Sequence, residues 1–324
     1  MPKSLPATTP FTFIGIGEVL FDIFEDGTET LGGAPLNFAV HVHQLSSLYK
    51  VGQGIIVSSV GSDTGGNRII ECLENHRMTH CFIGKDYVHP TGRVSVFMRN
   101  GEPGYQIEAE AAWDHINDTP DLKELAGRCS AVCFGSLAQR SRVSRETIRN
   151  FLGYLPQQAI SLYDVNLRQN TLTGEKGYSH EIVEYSCNAA AIIKANQSEL
   201  ITIINMFGIT CTDDNSVEGI RKKMEALLTR FPARAVIVTR GDQGTLFLNR
   251  AGEFIMTPPE KVKGTAYPVG AGDACSAGIL FGLTLGWDIS ATMELANRMG
   301  AYVAAHPSAT PPLSWMLSDS ETGC

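Results

Sequence analysis

The sequence predicts an α/β protein with a mainly parallel central sheet, helices on both faces and a small separate β-sheet. Two observations carry this prediction. Short apolar runs of four to eight residues alternate with amphipathic stretches, and two other segments carry hairpin signals instead. Strands and helices that alternate along a chain favour a parallel sheet, because each crossover helix packs back against a face of the sheet.

The predicted elements follow one another in a regular order. Residues 11–16 form a strand that runs straight into a Gly-Ile-Gly turn, and residues 34–48 form the helix that follows. The later predictions are strands at residues 54–60, 131–134, 159–163, 190–193 and 235–239, and helices at residues 63–77, 217–230 and 274–285. Asp63 is expected to cap the second helix. The helix at residues 217–230 is the clearest, because its apolar positions fall on one face.

Two segments break the strand-helix alternation. Residues 19–31 contain Asp26-Gly27 between β-prone residues, and residues 92–107 alternate and turn at Asn100-Gly101. Each segment is too short to fold alone. We predict that together they form a lid over the main domain. Two plain edge hairpins are the alternative.

The composition excludes several classes of protein. The 324 residues include 26 Lys and Arg against 34 Asp and Glu, a formal charge of −8, which argues against general nucleic-acid binding. No apolar stretch is long enough for a transmembrane helix, and the N-terminus lacks the apolar core of a secretory signal. We therefore expect a cytoplasmic protein with no membrane partner. The eight cysteines are expected to be reduced and mostly buried.

The strongest local signal is the run Gly270-Ala271-Gly272-Asp273, which opens an apolar helix. Small residues let backbone N–H groups approach a ligand, and a helix N-terminus attracts anions. An acid beside an anion site makes sense if Asp273 takes a proton from a hydroxyl that then attacks phosphorus. The alternative is an aspartate that only caps its helix.

A second run, Leu31-Gly32-Gly33, precedes Pro35 and a helix that carries Asn37. Gly33 can expose backbone to a small ligand, and Asn37 can direct an amide into the same space. The alternative is a plain helix N-terminus.

A third segment follows a buried strand and carries Asp164, Asn166 and Arg168 at alternate positions. In an extended chain these side chains project to one side, at the strand end where open α/β sheets bind ligands. A further strand and glycine turn carry Thr239, Gly241 and Gly244.

Asn196 and Glu199 follow another buried strand and lie three residues apart. On a helical turn they share a face, and an amide oxygen with a carboxylate suits a hydrated Mg²⁺. The alternative is a capping box, in which the asparagine caps the helix and the glutamate reaches back.

Other ligand motifs are missing. The sequence has no Walker loop, and Leu20 replaces the third glycine of a dinucleotide fingerprint at Gly15-Ile-Gly17. The eight histidines show no metal-ligand spacing, so a histidine metal site is not expected.

The five ligand-binding segments, in this order, resemble the ribokinase-like (PfkB) carbohydrate kinases, and the resemblance covers residues 11–307. Gly17-Glu18 and the run from Gly32 to Asn37 resemble the fructokinase branch more than the nucleoside kinases. The resemblance implies a single ribokinase-like three-layer α/β/α sandwich over residues 1–324, with a lid at residues 19–31 and 92–107. It also implies ATP-dependent phosphoryl transfer to a sugar hydroxyl.

The resemblance implies a role for each matching position. Asp273 would be the base, and the turn at residues 270–273 would supply the backbone amides that hold the developing charge. Asp22, Gly32, Gly33, Asn37, Asn166 and Arg168 would bind the sugar, with Arg93 and Phe97 on the lid strand as further candidates. Asn196, Thr239, Gly241, Gly244, Gly272 and Asn297 would line the nucleotide site. Asn196 and Glu199 would organise Mg²⁺ through water.

One departure concerns Tyr267-Pro268, where the family usually carries Asp-Thr. That pair often shapes the loop and, in many members, a monovalent-cation site, so the sequence speaks against cation activation. The principal prediction is a fructokinase-like enzyme that binds ATP and Mg²⁺. The alternatives are a kinase for 2-keto-3-deoxygluconate or another sugar or nucleoside, and a sugar-binding regulatory protein that has lost catalysis. A homodimer is the candidate assembly by analogy with related folds.

Overall fold

The computed structural model describes residues 10–99, 102–211, 214–262, 267 and 269–313. The predicted turn at Asn100-Gly101 and Pro268 lie outside the described residues. The strands are β1 Phe11–Ile16, β2 Leu20–Phe24, β3 Glu29–Gly32, β4 Gly52–Gly61, β5 Ile83–Asp86, β6 Gly92–Arg99, β7 Glu102–Ile107, β8 Ala131–Phe134, β9 Ile160–Asp164, β10 Ile192–Asn196, β11 Ala235–Thr239, β12 Thr245–Asn249 and β13 Phe254–Thr257.

The helices are α1 Ala34–Tyr49, α2 Thr64–Asn75, α3 Pro120–Gly127, α4 Arg142–Gly153, α5 His180–Ala189, α6 Gln197–Met206, α7 Val217–Arg230, α8 Ala271–Thr284 and α9 Ile289–Ala304. Short 3₁₀ turns lie at Ala112–His115, Leu137–Arg140 and Gly241–Gln243. The predicted helix α7 has the expected bounds, and the Asp63 side chain accepts a bond from Gly66 N, as expected of the cap of α2. Helix α8 begins at Ala271, three residues earlier than predicted, because the chain enters helical geometry directly after Gly270.

The main sheet has nine strands among the described residues, in the order β13-β12-β11-β10-β9-β8-β1-β4-β5. The seven strands from β11 to β5 are parallel to their neighbours, and β12 and β13 extend the sheet as an antiparallel edge. Because the carboxyl ends of the parallel strands meet at one edge, the polar residues that follow them converge there.

The small sheet has the order β3-β2-β6-β7, and its strands come from the two segments that carry the hairpin signals. Strands β2 and β6 run parallel, with Leu20 opposite Gly92, and the outer pairs are antiparallel. The chain leaves the main sheet twice, after β1 and after β5, to build it.

Two apolar cores lie on opposite faces of the main sheet. Neighbouring residues of β1 point to opposite cores. Phe13 belongs to the core formed with α1, α2, α8 and α9, and Ile14 belongs to the core formed with α3, α4, α5, α6 and α7. Both side chains have no exposed surface. Burial of both faces is the reason that the strands appear as continuous apolar runs in the sequence. The predicted three-layer sandwich with a small second sheet is confirmed.

Small residues let α8 approach α9 closely. A Cβ atom added at Gly278 would lie 2.9 Å from Ala296 Cα, and one at Gly282 would lie 2.6 Å from Thr292 Oγ1. The apolar character of α8 therefore serves packing within the core. Within the described part of the chain, no helix combines the length and the apolarity that a membrane crossing requires.

Seven cysteines lie in the described ranges, and all seven are free thiols. Cys129, Cys133, Cys187 and Cys275 are buried, whereas Cys81 is exposed. Burial raises the pKa of the Cys275 thiol to about 11, which makes it a poor nucleophile although it lies near the glycine turn. This agrees with the prediction that the cysteines are packing residues.

Candidate active site

The turn before α8 forms an anion-binding site from backbone atoms. Gly270 has φ 84°, and a Cβ atom there would lie 2.8 Å from Ala309 Cβ, so the position requires glycine. No side chain caps the helix. The N–H groups of Ala271, Gly272 and Asp273 therefore point out of the first helical turn, where the helix dipole favours negative charge.

The Asp273 carboxyl is half-buried beside this turn and is held by a side chain of α1, the neighbouring helix on the same face of the sheet. Asn37 Nδ2 donates to Asp273 Oδ2 at 2.8 Å, and Asn37 Oδ1 has no partner within the described residues. Burial, followed by the charge of Asp164, raises the pKa of Asp273 to about 6, against the lowering effect of the Asn37 bond. The carboxyl does not cap its own helix, and a desolvated carboxyl with this pKa is suited to accept a proton near neutral pH.

A buried ion pair supports the turn from below, and the sequence analysis missed it. Lys194 Nζ donates to Asp164 Oδ2 at 2.8 Å, and Ser276 Oγ donates to the same oxygen at 2.7 Å. Burial lowers the pKa of Lys194, but the nearby Asp164 charge outweighs it and the net shift is upward. The signal in the sequence was a lysine inside an otherwise apolar strand.

Glu18 is a second residue that the sequence analysis did not assign to the site. It follows the turn at the end of β1, is 3% exposed, and its Oε2 atom has no hydrogen-bond partner in the described part of the chain. Burial raises the pKa of Glu18 to about 7. An acid directly after a strand and a glycine turn is the signal that could have found it.

A cavity of about 330 Å³ separates the small sheet from the carboxyl ends of the main strands. Of the predicted sugar-binding residues, it is lined by Asp22, Gly33, Asn37, Asn166 and Arg168. Burial raises the pKa of Asp22 to about 6, and the Arg168 charge opposes that shift. These residues therefore bring carboxyl, amide and guanidinium groups from three separate segments to one cavity.

Gly32 does not line this cavity. A Cβ atom at Gly32 would lie 2.6 Å from Asp22 Oδ2 on the neighbouring strand. Its role is therefore to leave room for the Asp22 carboxylate rather than to contact a ligand.

The structure corrects the assignment of Arg93 and Phe97 to the sugar site. Val94 and Val96 line the cavity, so the alternate residues of β6 point to the other face of the small sheet. There Arg93 Nη1 lies 3.3 Å from Glu29 Oε1. The resemblance placed Arg93 and Phe97 at the sugar, whereas the residues of β6 that line the cavity are the alternate valines Val94 and Val96.

A second cavity of about 640 Å³ lies on the other side of the glycine turn. Its lining includes the predicted nucleotide-site residues Thr239, Gly241, Gly244, Gly272 and Asn297, together with Ala271 of the glycine turn, whereas Asn196 lines the first cavity. Gly244 has φ 79°, and a Cβ atom there would lie 2.1 Å from Thr257 O, so a side chain is excluded. Thr239 and Gly272 line both cavities, which places the junction between them beside Asp273.

Asn297 contributes to the wall of the second cavity through a fixed side chain. Its Oδ1 accepts from Thr245 Oγ1 at 2.5 Å, and its Nδ2 donates to Pro258 O at 2.8 Å. Asn297 therefore contributes to the shape of the cavity, because its amide groups already bond to other parts of the protein.

Asn196 and Glu199 form the capping box that was the alternative to a metal site. Asn196 Oδ1 accepts from Glu199 N at 2.9 Å and from Ser198 Oγ at 2.7 Å, which uses both of its lone pairs. Glu199 accepts one backbone N–H on each carboxylate oxygen, from Leu167 and Asn196, and each oxygen keeps a further lone pair. These residues therefore fit a Mg²⁺ ion through the glutamate and intervening water.

The departure at Tyr267-Pro268 is described only at Tyr267, whose N–H donates to Ala304 O at 2.7 Å. The expectation about monovalent cations stays a prediction.

The chain is similar in sequence to known carbohydrate kinases over most of its length. A family model described as pfkB family carbohydrate kinase matches residues 23–316. The uncharacterized sugar kinase PH1459 of Pyrococcus horikoshii is 26% identical over 298 residues, which cover 88% of this chain and 87% of that protein. The ATP-dependent 6-phosphofructokinase of Thermoanaerobacterium thermosaccharolyticum is 25% identical over 304 residues, which cover 90% and 87% of the two chains.

Solved structures share the fold over nearly the whole chain. The P. horikoshii structure superposes with a TM-score of 0.76 at 24% identity, covering 95% of this chain and 97% of its own. A fructokinase double mutant from Vibrio cholerae O395, with fructose, ADP and potassium ion bound, superposes with a TM-score of 0.78 at 20% identity and covers 97% and 99%. These similarities confirm the predicted ribokinase-like fold.

Proposed function

Because the chain belongs to the pfkB family of carbohydrate kinases, we propose that it transfers the γ-phosphoryl group of ATP to a hydroxyl of a small sugar, principally a ketohexose such as fructose. The observation that carries this proposal is the meeting of two cavities at the glycine turn beside Asp273. The 330 Å³ cavity takes the sugar and the 640 Å³ cavity takes the nucleotide. Phosphoryl transfer requires the acceptor and the donor to meet in line, and two cavities that join beside the base allow this.

In this mechanism Asp273 is the general base. Its carboxylate accepts the proton of the sugar hydroxyl as the hydroxyl oxygen attacks the γ-phosphorus and the bond to the ADP oxygen breaks. Asn37 holds the carboxylate in place and keeps it ionised through the 2.8 Å bond. The unpartnered Asn37 Oδ1 remains able to accept a bond from another sugar hydroxyl.

Negative charge that develops on the transferred group meets the backbone amides of the glycine turn. The N–H groups of Ala271, Gly272 and Asp273 belong to the first turn of α8 and are fixed before the reaction, so they stabilise the charge without reorganisation. A bound Mg²⁺ ion would neutralise phosphate charge, and Glu199 would hold its water ligands.

The small sheet forms the roof of the sugar cavity, which supports the lid proposal. Leu20 and Asp22 on β2, Val94 on β6, and Tyr105 and Ile107 on β7 all line it. Closure of this sheet over the sugar would exclude water and so limit wasteful hydrolysis of ATP.

The lining favours a neutral polyol with one apolar face. Carboxyl and amide groups lie at the strand ends, and the small sheet opposite them contributes aliphatic and aromatic side chains together with the Asp22 carboxyl. The fructose-bound V. cholerae fructokinase of the same fold supports a ketohexose. A coupled assay for ADP release over a panel of sugars tests the proposal. Fructose-dependent release in the presence of Mg²⁺ is expected. Sugar binding with no ADP release from any sugar would instead support the regulatory alternative.

An anionic sugar, such as a sugar acid or a sugar phosphate, is the second candidate. The observation that favours it is Arg168, which lines the cavity and whose positive charge reaches the Asp22 and Asp273 carboxyls without a direct salt bridge among the described residues. The similarity to a 6-phosphofructokinase points the same way.

Arg168→Gln separates the two substrate classes. If the substrate is anionic, loss of the charged hydrogen bond is expected to lower kcat/KM by about 10- to 100-fold more for that sugar than for fructose. Arg93→Gln is the matched control, because Arg93 lies on the far face of the small sheet. Its loss should leave kcat/KM unchanged for both the neutral and the anionic sugar. If the Arg168 variant loses kcat/KM equally for neutral and anionic sugars, an anionic substrate is excluded.

The pH dependence of kcat/KM tests the environment of the base. The pKa of Asp273 lies at about 6, and a base works only when ionised, so kcat/KM is expected to fall as the pH drops below about 6. Asn37→Ala removes a bond that lowers this pKa. The acid limb is therefore expected to move to higher pH by about one unit.

Glu18→Gln is the control for the assignment, since the pKa of Glu18 is about 7. The acid limb should persist in that variant. If the acid limb of the kcat/KM profile disappears in the Glu18 variant, the titration belongs to Glu18. If the acid limb is unchanged in the Asn37 variant, Asn37 does not lower the pKa of Asp273.

A further inference from the structure

Two histidines from the two connections of the small sheet stack against each other. His89 lies between β5 and β6, and His115 ends the 3₁₀ turn that follows β7. Their ring centroids are 3.6 Å apart and their planes differ by 6°. Glu110 Oε2 lies 3.4 Å from His115 Nε2 and 3.8 Å from His89 Nε2. The fold thus brings together residues whose spacing in the sequence predicted no metal site.

The donor atoms of this cluster are prepared for a ligand. His89 Nδ1 lies 2.9 Å from Asp86 Oδ2, a bond that places the proton on Nδ1 and leaves a lone pair on Nε2. Carboxylates orient metal-binding imidazoles in this way. His115 Nε2 is buried and has no hydrogen-bond partner in the described part of the structure, since the contact with Glu110 lacks hydrogen-bond geometry.

We propose that His89, Glu110 and His115 bind a divalent transition-metal ion of the Zn²⁺ class. One nitrogen or oxygen atom from each residue lies within 4.8 Å of the others. A tetrahedral Zn²⁺ ion with bonds of about 2.1 Å holds its ligand atoms about 3.4 Å apart. The two rings must rotate out of their parallel stack to direct both lone pairs at one ion, and the exposed Glu110 side chain can move with them. Two imidazoles and one carboxylate suit Zn²⁺ rather than Mg²⁺.

The position of the site gives the ion a structural consequence. His89 belongs to the segment that enters β6, and Glu110 and His115 belong to the segment that leaves β7. A bound ion would tie these two connections together at the base of the small sheet. The site is separate from the sugar and nucleotide cavities, because none of its three residues lines either of them. The proposal therefore does not depend on the kinase proposal.

Calorimetric titration of the metal-free, full-length protein with Zn²⁺, without nucleotide, tests the proposal. One ion per chain is expected. Glu110→Gln should weaken binding at least about tenfold, because a charged ligand is lost. The Glu110 side chain is 78% exposed, so this variant should fold normally. The double variant His89→Ala and His115→Ala should lose the site. Equal Zn²⁺ affinity in the wild type and both variants would overturn the proposal, as would no binding by the wild type.

Two controls separate this site from other ligands. His80→Ala removes a half-exposed histidine that pairs with Glu74 among the described charged groups, and it should leave the affinity unchanged. Co²⁺ in place of Zn²⁺ distinguishes nitrogen and oxygen ligands from the exposed thiol of Cys81. A spectrum without a thiolate charge-transfer band supports the site, whereas a strong band would assign the ion to cysteine.

Discussion

Asp273→Asn is expected to lower kcat by at least about 10²-fold while sugar and ATP binding are mostly retained. Asparagine has nearly the same shape as aspartate and still offers an oxygen to Asn37 Nδ2. It cannot accept the proton of the attacking hydroxyl. Steady-state kinetics with the preferred sugar measure the loss, and calorimetric titration of the variant with sugar and with ATP measures the retained binding.

The matched control is Asp242→Asn. Asp242 lines the nucleotide cavity but lies on an exposed turn, away from the junction of the two cavities. Its loss should change kcat by less than about twofold, since exposed charges interact weakly through water. Near-normal turnover of the Asp273 variant would remove Asp273 from the role of base, although membership of the kinase family would stand.

The fold could be predicted because its sequence signals are local. The parallel strands are buried on both faces and therefore appear as continuous apolar runs, of which residues 131–134 and 235–239 have the predicted bounds. Gly270 and Gly33 mark turns that other residues would strain, with φ values of 84° and 109°. Because such turns precede helices, the anion site and the start of α1 were visible in the sequence.

The missed parts of the site depend on which side chains meet across the fold. The partner of Lys194 is Asp164 on the next strand, and the partner of Asp273 is Asn37, 236 residues away. Sequence spacing contains no information about such pairs. Arg93 was placed wrongly because a shift of one residue along a strand exchanges the two faces of a sheet. The contact between His89 and His115 could not be predicted for a related reason. The two residues meet only because the chain enters β6 and leaves β7 at the same end of the small sheet.

Lys194→Met is expected to destabilise the fold by about 3–5 kcal/mol. The Lys194 side chain is 4% exposed, and its ammonium group is the cation that neutralises the buried Asp164 carboxylate. Methionine fills a similar volume, so the loss arises from the unpaired charge rather than from a cavity. The Ser276 hydroxyl still donates to Asp164 but brings no positive charge. The free energy of unfolding from urea denaturation of wild type and variant gives the difference.

A double variant isolates the charge effect. Adding Asp164→Asn to Lys194→Met removes the uncompensated charge and should recover most of the lost stability, because a buried pair contributes little net energy but is costly to break. Lys85→Met is the matched control: Lys85 lies on β5 of the same sheet, is exposed, and its loss should change stability by less than about 0.5 kcal/mol. If Lys194→Met and Lys85→Met prove equally stable, the ion pair does not hold the base of the anion site. If the double variant is no more stable than Lys194→Met alone, the loss comes from packing rather than from charge.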